Sequence, residues 1–578
     1  MTMLRKLLLV VAALLILGGA WVWWNRPQRV DMADYVPADA IVYIEADSLP
    51  EIASGIVSTD AWRLLARPSG IDGDFGRIGW LSQLARWTGI GPAQAVVLSR
   101  AQIAITVLGF EAEEQASETL KIIPRTALVA ETHTGATRAR ATVEKLVGDF
   151  ARRTYGSPRM SERKESDDTV FLTWTSPDDA RRKMIAAVSG SIVIIGNDES
   201  AVEACLAAKR GERPALSSDG QLREMRERMN AEASLAFGYV PGSSTPKLLE
   251  VTALAYVGQL STDPRVQSAI ATLLPQLANR MLGGAAWSTR VHDGAVEDNY
   301  FLALQSGAGA RVGEALVPAD APPTYASEFL PHDIYQISSY NYRDPATAWR
   351  GFNAAISSQL DALSAPFVNR FLEEALKPYG IETPREFFSA AGPEMVTARL
   401  DNSGASTVLV VAVRDREVLE KQVRKRLGSA RVVSVGDVEM LVSRDEERGA
   451  ASFIGDRLIM GDAANVRLCL EARAAARTFA LAESFKQSPR RLFDALPAVS
   501  TLTDDRQTAR TFISYVARES GARRSGGDGE ALERALNQLP FAASESRFIS
   551  DGFEKRTRSP FGNFGVLVAR FAPERQSR

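Results

Sequence analysis

The sequence contains 578 residues, of which 45% are hydrophobic and 24% are charged, with a formal net charge of −2. Because neither sign of charge forms a long block, the composition argues against a nucleic-acid-binding protein, which needs a basic surface to displace counterions. Beyond the N-terminus it provides no polybasic patch for anionic lipids. A chain of this length predicts two or more large domains.

The first predicted element is a membrane anchor. Leu7–Trp24 is an unbroken apolar run, which as a helix would be about 27 Å long, close to the hydrocarbon thickness of a bilayer. Arg5 and Lys6 precede it, and by the positive-inside rule they place the short N-terminus in the cytoplasm. Residues 1–30 are therefore predicted to be a single-pass inner-membrane anchor, with the bulk of the chain in the periplasm.

A cleaved signal peptide is the competing interpretation of the same segment. Gly18 and Ala20 supply small residues of the kind found before a cleavage site. Cleavage there would leave an N-terminus beginning Trp-Val-Trp-Trp, an unfavourable apolar end for a soluble protein, so the uncleaved anchor is favoured. No cysteine lies near this segment, which excludes an N-terminal lipoprotein.

Two segments far apart in the chain resemble each other. Gly190–Gly196 leads to Cys205, and Gly455–Gly461 leads to Cys469. The first glycines are 455 − 190 = 265 positions apart, and the cysteines are 469 − 205 = 264 positions apart. One deletion therefore aligns the two segments, and the match predicts a duplicated domain.

Both copies are predicted to follow the order β-α-β-β-β-α. The elements of the first copy are a strand at 125–131, a helix at 138–150, strands at 169–175, 183–188 and 191–195, and a helix at 199–209. Those of the second copy are a strand at 407–413, a helix at 417–427, strands at 437–443, 450–454 and 457–460, and a helix through Cys469.

The segments that flank this unit are predicted to match as well. The strand at 235–240 has an expected counterpart at 512–516. Each copy is expected to end in a strand pair that is joined near an Asp-Gly turn, Asp293-Gly294 in the first and Asp551-Gly552 in the second. Three longer helical stretches are predicted at 247–259, 266–281 and 346–376. They are expected to cover a sheet face; the alternative is that they wall a hydrophobic groove for a lipid or an apolar partner.

Domain boundaries follow from this comparison and from composition. Pro37 introduces the first strand of copy one, and either Pro331 or the Val317–Ala321 segment is its counterpart in copy two. The predicted divisions are an anchor at 1–30, a first domain at 31–305, a linker rich in Gly, Ala and Pro at 306–325, and a second domain at 326–578.

The two cysteines are predicted to be small buried side chains. They fall at matching helix positions in different domains, where such side chains usually pack in a core. A disulfide remains the alternative, but it requires the two helices to pack so closely that the α-carbons lie within about 7 Å.

Few residues suggest catalysis. His133, His292 and His332 are the only histidines, and no two have a metal-ligand spacing. No Gly-x-Ser-x-Gly or Cys-x-x-Cys motif occurs, and Gly307–Gly313 fits a linker better than a dinucleotide-binding loop. We therefore predict no catalytic, cofactor-binding or metal-binding residues, although a Ser–His–Asp site assembled from distant residues stays open.

The anchor, the start of the first strand at Val36–Ala40 and the paired Gly-x5-Gly strands at Gly190–Gly196 and Gly455–Gly461 resemble the bacterial domain-of-unknown-function 3352 family. The resemblance covers nearly the whole exported part. It implies no catalytic residues.

Together these features predict an α+β protein: an N-terminal transmembrane helix followed by two tandem homologous domains with mostly antiparallel sheets covered by helices. The expected function is a non-catalytic binding or scaffolding module of the bacterial envelope. Its expected partners are the membrane and a lipid or an envelope protein, with no nucleic acid and no cofactor. The alternatives are an envelope hydrolase with a site between the two repeats and a structural or assembly component.

Overall fold

The structure is a computed structural model that describes residues 28–71, 91–114, 120–165, 167–260, 264–305, 307–360, 364–404, 406–519 and 528–571. We call residues 28–305 the first half and residues 307–571 the second half. The anchor predicted at Leu7–Trp24 lies outside the described residues. Among the residues that are described, none of the helices combines the length and the apolar character needed to cross a membrane.

The described residues form twenty strands of one antiparallel sheet. The strands of the first half are β1 (Val42–Ala46), β2 (Gln102–Glu114), β3 (Leu120–Glu131), β4 (Arg159–Lys164), β5 (Val170–Thr175), β6 (Lys183–Ser189), β7 (Ile192–Gly196), β8 (Ala236–Val240), β9 (Leu282–His292) and β10 (Ala295–Leu304). The strands of the second half are β11 (Gln336–Asn341), β12 (Ala391–Arg399), β13 (Thr407–Val413), β14 (Ala430–Val435), β15 (Val438–Ser443), β16 (Ala450–Ile454), β17 (Arg457–Gly461), β18 (Val499–Thr503), β19 (Ala542–Ile549) and β20 (Gly552–Ser559).

Eighteen α-helices within the described residues connect and cover the strands. Those of the first half are α1 (Leu49–Val57), α2 (Asp60–Leu65), α3 (Pro92–Arg100), α4 (Ala136–Tyr155), α5 (Glu199–Lys209), α6 (Gly220–Arg228), α7 (Thr245–Leu260) and α8 (Pro264–Met281). Those of the second half are α9 (Ala308–Ala315), α10 (Pro345–Ser357), α11 (Ser364–Glu374), α12 (Pro384–Ala390), α13 (Arg416–Leu427), α14 (Ala463–Ala474), α15 (Glu483–Gln487), α16 (Arg506–Glu519), α17 (Asp528–Leu536) and α18 (Gly562–Phe571).

The strand order is the same in the two halves. In the first half it is β4-β5-β6-β7-β3-β2-β1-β8-β9-β10. In the second half it is β14-β15-β16-β17-β13-β12-β11-β18-β19-β20. Strands β10 and β20 pair with each other and join the halves. The predicted α+β class with antiparallel pairing is therefore confirmed, and all the strands belong to a single sheet.

The predicted β-α-β-β-β-α order omits one strand in each half. The structure adds β4 after α4 and β14 after α13, so the observed order is β-α-β-β-β-β-α. All six residues of β4 are exposed, and those of β14 are exposed or half-buried. Strand β4, Arg-Met-Ser-Glu-Arg-Lys, has a single apolar residue, and β14, Ala-Arg-Val-Val-Ser-Val, has no fully buried residue, so neither segment gives the signal of a half-buried strand.

The predicted counterpart of the strand at 235–240 is wrong. Residues 512–516 lie inside α16, and the topological equivalent of β8 is β18. Ala509, Phe512, Ile513 and Ala517 are buried in α16, and this spacing of three to four residues forms one helical face. A five-residue apolar run is too short to reveal that period.

The strand pairs predicted near Asp293-Gly294 and Asp551-Gly552 are both present, as β9–β10 and β19–β20, but only the first dipeptide forms the whole hairpin loop. Asp293 and Gly294 form the loop between β9 and β10, both with positive φ, as a two-residue hairpin loop of type I′ requires. In the second half the loop is Ser550-Asp551, and Gly552 is the first residue of β20. A Cβ atom on Gly552 would lie 2.5 Å from the Leu302 carbonyl oxygen of β10, so this glycine permits close approach of two strands.

Three further expectations concern the connections. Pro37 forms an isolated bridge with Ala215 and Pro331 forms one with Thr478, each shortly after the helix that carries the cysteine, whereas Pro318 bridges Tyr342 after β11. The bridge partners therefore favour Pro331 over the Val317–Ala321 register. The predicted linker at 306–325 contains α9, which begins directly after Gly307 and whose Val312 is buried, so part of this segment is a packed helix. The stretch at 346–376 forms α10 and α11 in the β11–β12 connection, which is equivalent to the connection that holds α1, α2 and α3.

Helices cover both faces of the sheet. On one face, Cys205 of α5 and Cys469 of α14 lie in two separate hydrophobic clusters, one in each half. Both thiols are fully buried and free. On the opposite face, α4 packs on the first half and α12 and α13 pack on the second. The cysteines therefore occupy the core positions that the sequence predicts.

The joint between the halves is an antiparallel pair of eight residues on each strand. Asn299 of β10 lies opposite Arg556 of β20, whose Nε donates a hydrogen bond of 2.9 Å to Asn299 Oδ1. Glu297, which is almost fully buried, accepts a hydrogen bond of 2.6 Å from Arg290 and lies 3.7 Å from Arg556. The backbone ladder and this charged cluster together hold the joint.

Helices from each half also pack against the other half. Trp62 and Leu65 of α2 share a hydrophobic cluster with Phe512 of α16 and Phe561. In the same way, Met281 of α8 packs against Ile356 of α10. These two clusters bury apolar surface between the halves in addition to the β10–β20 pair.

We expect Cys205 and Cys469 to be unreactive toward Ellman's reagent in the native protein. Burial raises the pKa of both thiols to about 12, and only an accessible thiolate reacts. After unfolding in guanidinium without reductant, two thiols per chain should react. If the two cysteines formed a disulfide, no thiol would react after unfolding, and if either thiol were exposed, it would react in the native protein. Either result would contradict the prediction.

Replacement of Arg556 should weaken the joint. Arg556→Met keeps most of the side-chain volume but removes its bonds to Asn299 and to the Leu492 carbonyl, and hydrogen bonds of charged groups contribute about 1.5–3 kcal/mol. We expect the free energy of unfolding, measured by urea denaturation, to fall by about 2 kcal/mol. Arg223→Met, at an exposed position of α6, is the control, with a change below about 0.5 kcal/mol. Equal effects of the two substitutions would contradict a special role for Arg556.

Candidate functional site

An apolar cavity of about 330 Å³ lies against one face of the second half. Its floor is formed by Tyr340 of β11, Met395 and Thr397 of β12, Leu409 of β13 and Phe548 of β19. Tyr340 is paired with Met395, and Thr397 with Leu409. Because residues two apart in a strand share a face, these neighbouring side chains form one continuous surface.

The roof of the cavity comes from α10, α12 and the segment between α11 and α12. Asp344 caps the first turn of α10, which fixes the start of the helix. Ala348, Trp349 and Phe352 then fall on the side that faces the floor, in keeping with helical spacing. The ring of Phe388 in α12 lies 5.3 Å from that of Trp349. We call the cavity between this floor and roof the aromatic pocket.

The aromatic pocket contains few polar atoms. They are mainly hydroxyl groups, and none of its lining residues is charged. The Tyr340 hydroxyl is bonded to Thr397, and burial raises its pKa. Burial likewise raises the pKa of Tyr342 to about 12. At neutral pH the pocket can therefore hold a neutral apolar molecule and offer it a hydroxyl, but these groups are poor acids and bases.

A second cavity, of about 390 Å³, is more polar. It is lined by His332 and Asp333, which precede β11, by Ser484 of α15, and by Arg506 of α16. Arg506 Nε donates a hydrogen bond of 2.8 Å to Asp504, so its charge is already paired. We call this cavity the polar pocket.

The polar pocket does not form a Ser–His–Asp triad. In a triad, a buried acid orients the histidine, which in turn bonds the serine. Here His332 Nδ1 lies 3.2 Å from Asp333, whose side chain is 94% exposed. Among the described residues, no hydrogen bond joins Ser484 to His332. The serine is therefore not activated in this arrangement.

The other two histidines are far from the polar pocket in the fold. His133 follows β3, and its Nε2 lies 3.2 Å from Gln102 Oε1; burial lowers its pKa. His292 ends β9 and pairs with neighbouring Asp293. Within the described part of the chain, no group of three or more His, Cys, Asp or Glu side chains is arranged to hold a metal ion.

The sequence predicts the helical stretch at 346–376, which supplies part of the roof, but none of the individual pocket residues. Trp349 and Phe352 in α10 and the pair Phe387-Phe388 in α12 are local aromatic signals. The floor residues carry no such signal, because apolar side chains are expected on any covered sheet face.

Comparison with known proteins identifies no relative of this chain. No protein-family model, no curated protein and no solved structure matches it.

Buried carboxylates with raised pKa values are further candidates for functional groups. Asp298 of β10 is 2% exposed, and burial raises its pKa to about 6. Its oxygens accept hydrogen bonds from Thr289 Oγ1 (2.5 Å) and from the backbone N–H of Asn563 (2.9 Å). It lines neither pocket. Asp298 therefore ties the first turn of α18 to β10 across the joint.

The raised pKa of Asp298 predicts a pH-dependent stability. In the unfolded chain the carboxyl group titrates near 3.9, so between about pH 4 and pH 6 the folded protein binds more protons than the unfolded one. The free energy of unfolding must then fall as pH rises through this window. Asp298→Asn removes the titration. The free energy of unfolding of the variant, compared with that of the wild type, should therefore rise by up to about 3 kcal/mol from pH 4 to pH 7.

Urea denaturation at several pH values measures this difference. Asp168→Asn is the control, because the Asp168 side chain is 86% exposed; its difference from wild type should vary by less than about 0.5 kcal/mol. A pH-independent difference between Asp298→Asn and wild type would contradict the raised pKa.

Proposed function

We propose that this chain is a non-catalytic binding protein of the bacterial envelope, held in the inner membrane by residues 1–30, with its bulk in the periplasm. Its ligand is a neutral apolar molecule, such as a lipid chain, bound in the aromatic pocket. The observation that carries the proposal is the pocket itself, about 330 Å³ of space without a charged lining residue. Small-molecule sites commonly have volumes of about 300–1,000 Å³, apolar walls and a few polar groups.

We also propose that the two halves are divergent copies of one unit, with domains at 31–305 and 326–578, related to the domain-of-unknown-function 3352 family. The common strand order supports this. So do two hairpin loops: Gly190 and Gly455 each open a two-residue loop with positive φ, after β6 and β16 respectively. Cys205 and Cys469 then lie in the next helix of each half.

The attachment of the first residues of each half supports the same proposal. The backbone N–H of Val30 donates a hydrogen bond of 2.9 Å to Gln102 at the start of β2. The backbone N–H of Thr324 donates one of 2.7 Å to Glu394 in β12. Strands β2 and β12 hold equivalent places in the two halves, so each half anchors its leading segment to the same strand, through a different side chain.

A hydrolase is the second candidate, favoured by one observation: the polar pocket gathers His332, Asp333 and Ser484. The exposure of Asp333 weighs against it. The residues of this pocket all belong to the second half, whereas the sequence suggests a hydrolase site between the repeats. A structural or assembly role is the third candidate, supported by the continuous sheet.

Ligand binding can be followed through Trp349, which lines the aromatic pocket. We expect 11-bromoundecanol, a neutral chain with a quenching bromine atom, to quench the fluorescence of the detergent-solubilised full chain in a saturable manner. Trp349→Phe should abolish the saturable component, because no other tryptophan is among the described residues that line the pocket. Quenching that is linear in both proteins would contradict the proposal.

A matched pair of substitutions in α10 tests the location. Ala348 is buried in the pocket wall, and Ala354 is on the exposed side of the same helix. Ala348→Leu fills part of the pocket and should raise the dissociation constant of bromoundecanol at least tenfold, equivalent to about 1.4 kcal/mol. Ala354→Leu should change it less than twofold. Similar constants for the two variants would place the ligand elsewhere.

A further inference from the structure

The two ends of the sheet differ in chemistry. Strand β4 pairs only with β5, and β14 pairs only with β15, so within the described residues each has an outer edge without a partner strand. Unpaired backbone N–H and C=O groups on such an edge can add another strand. Natural sheets protect these edges with charged side chains.

Strand β4 is protected in this way. Glu162 accepts two hydrogen bonds from Arg140, of 3.0 and 2.9 Å. Arg163 lies 3.0 Å from Glu199, and Lys164 lies 2.7 Å from Asp168. Any strand added beside β4 would have to displace or desolvate these ion pairs.

Strand β14 lacks such protection. Its sequence is Ala-Arg-Val-Val-Ser-Val, and Arg431 is its only charged residue. The Val432 side chain is 57% exposed, while Val433 and Val435 pack against the core of the second half. The strand is thus held firmly on one side and presents apolar side chains beside a free backbone edge.

We propose that β14 is a self-association surface, through which two copies of this chain join by antiparallel pairing of their β14 strands. The fold already uses this arrangement at its other edge, where β10 and β20, the last strands of the two halves, pair antiparallel. A β14–β14 pair would continue the same sheet and keep its helix layers on the same faces. The proposal concerns assembly and does not depend on the ligand of the aromatic pocket.

The sequence of β14 is compatible with pairing to itself. In an antiparallel pair centred on Val432 or Val433, Arg431 lies opposite a valine of the other copy, so no like charges meet. Cross-strand pairs of β-branched residues are favourable in sheets. An interface of one strand is small by the standards of stable complexes, so the dimer should be weak in dilute solution and favoured where a membrane raises the effective concentration.

Cysteine crosslinking tests the proposal in the full chain within its membrane. Val432→Cys and Met160→Cys place one exposed thiol on β14 and on β4; the native residues are 57% and 50% exposed. The two native cysteines are buried and contribute no background. A thiol crosslinker of about 8 Å reaches direct and diagonal cross-strand neighbours. We expect at least fivefold more product of twice the chain mass from Val432→Cys.

A second pair of variants removes the dependence on an introduced thiol. Val432→Lys gives β14 a charge like those of β4 and should raise the dissociation constant of the dimer at least tenfold, measured by sedimentation of the solubilised full chain. Met160→Lys should change it less than twofold. The proposal is overturned if the two cysteine variants crosslink equally, if the Val432→Cys product contains a different protein, or if Val432→Lys sediments like wild type.

Discussion

The antiparallel pairing of β10 with β20 is the constraint on which the rest of this structure depends. Backbone N–H and C=O groups of a buried strand must be paired, and here the last hairpin of each half supplies the partner of the other. Asn299 opposite Arg556 and the buried carboxylate of Glu297 fix the register at the centre of the pair. A one-residue slip would turn these side chains to the wrong face.

The joint also supports the aromatic pocket, although all the pocket residues belong to the second half. Helix α10 forms much of the roof, and its C-terminal part packs against α8 of the first half through Ile356 and Met281. Because α8 leads directly into β9, the position of the roof follows from the position of the joint. The two halves are thus mechanically coupled even if only one of them binds a ligand.

The parts of this fold that sequence reasoning recovers are those with a local cause. The two-residue loops at Gly190 and Gly455 require positive φ, and the helix at 199–209 is capped by Asp198 and has a regular apolar face. Strand β18, Val-Ser-Thr-Leu-Thr, has no such signal, and its partners β11 and β19 lie far away in the chain. The aromatic pocket needs side chains from residue 316 to residue 548, a set that no local pattern can select.

Equal topology does not give the two halves equal sites. Tyr340 lies 340 − 331 = 9 residues after Pro331, and Ala46 lies 46 − 37 = 9 residues after Pro37; each lies at or next to the last residue of its strand. A tyrosine that forms the pocket floor in the second half thus corresponds to an alanine in the first. The common strand order determines where a cavity can form, and the side chains determine whether one is present. The function of this chain is therefore inferred from the pocket in the second half, because the fold that both halves share would allow a site in either half.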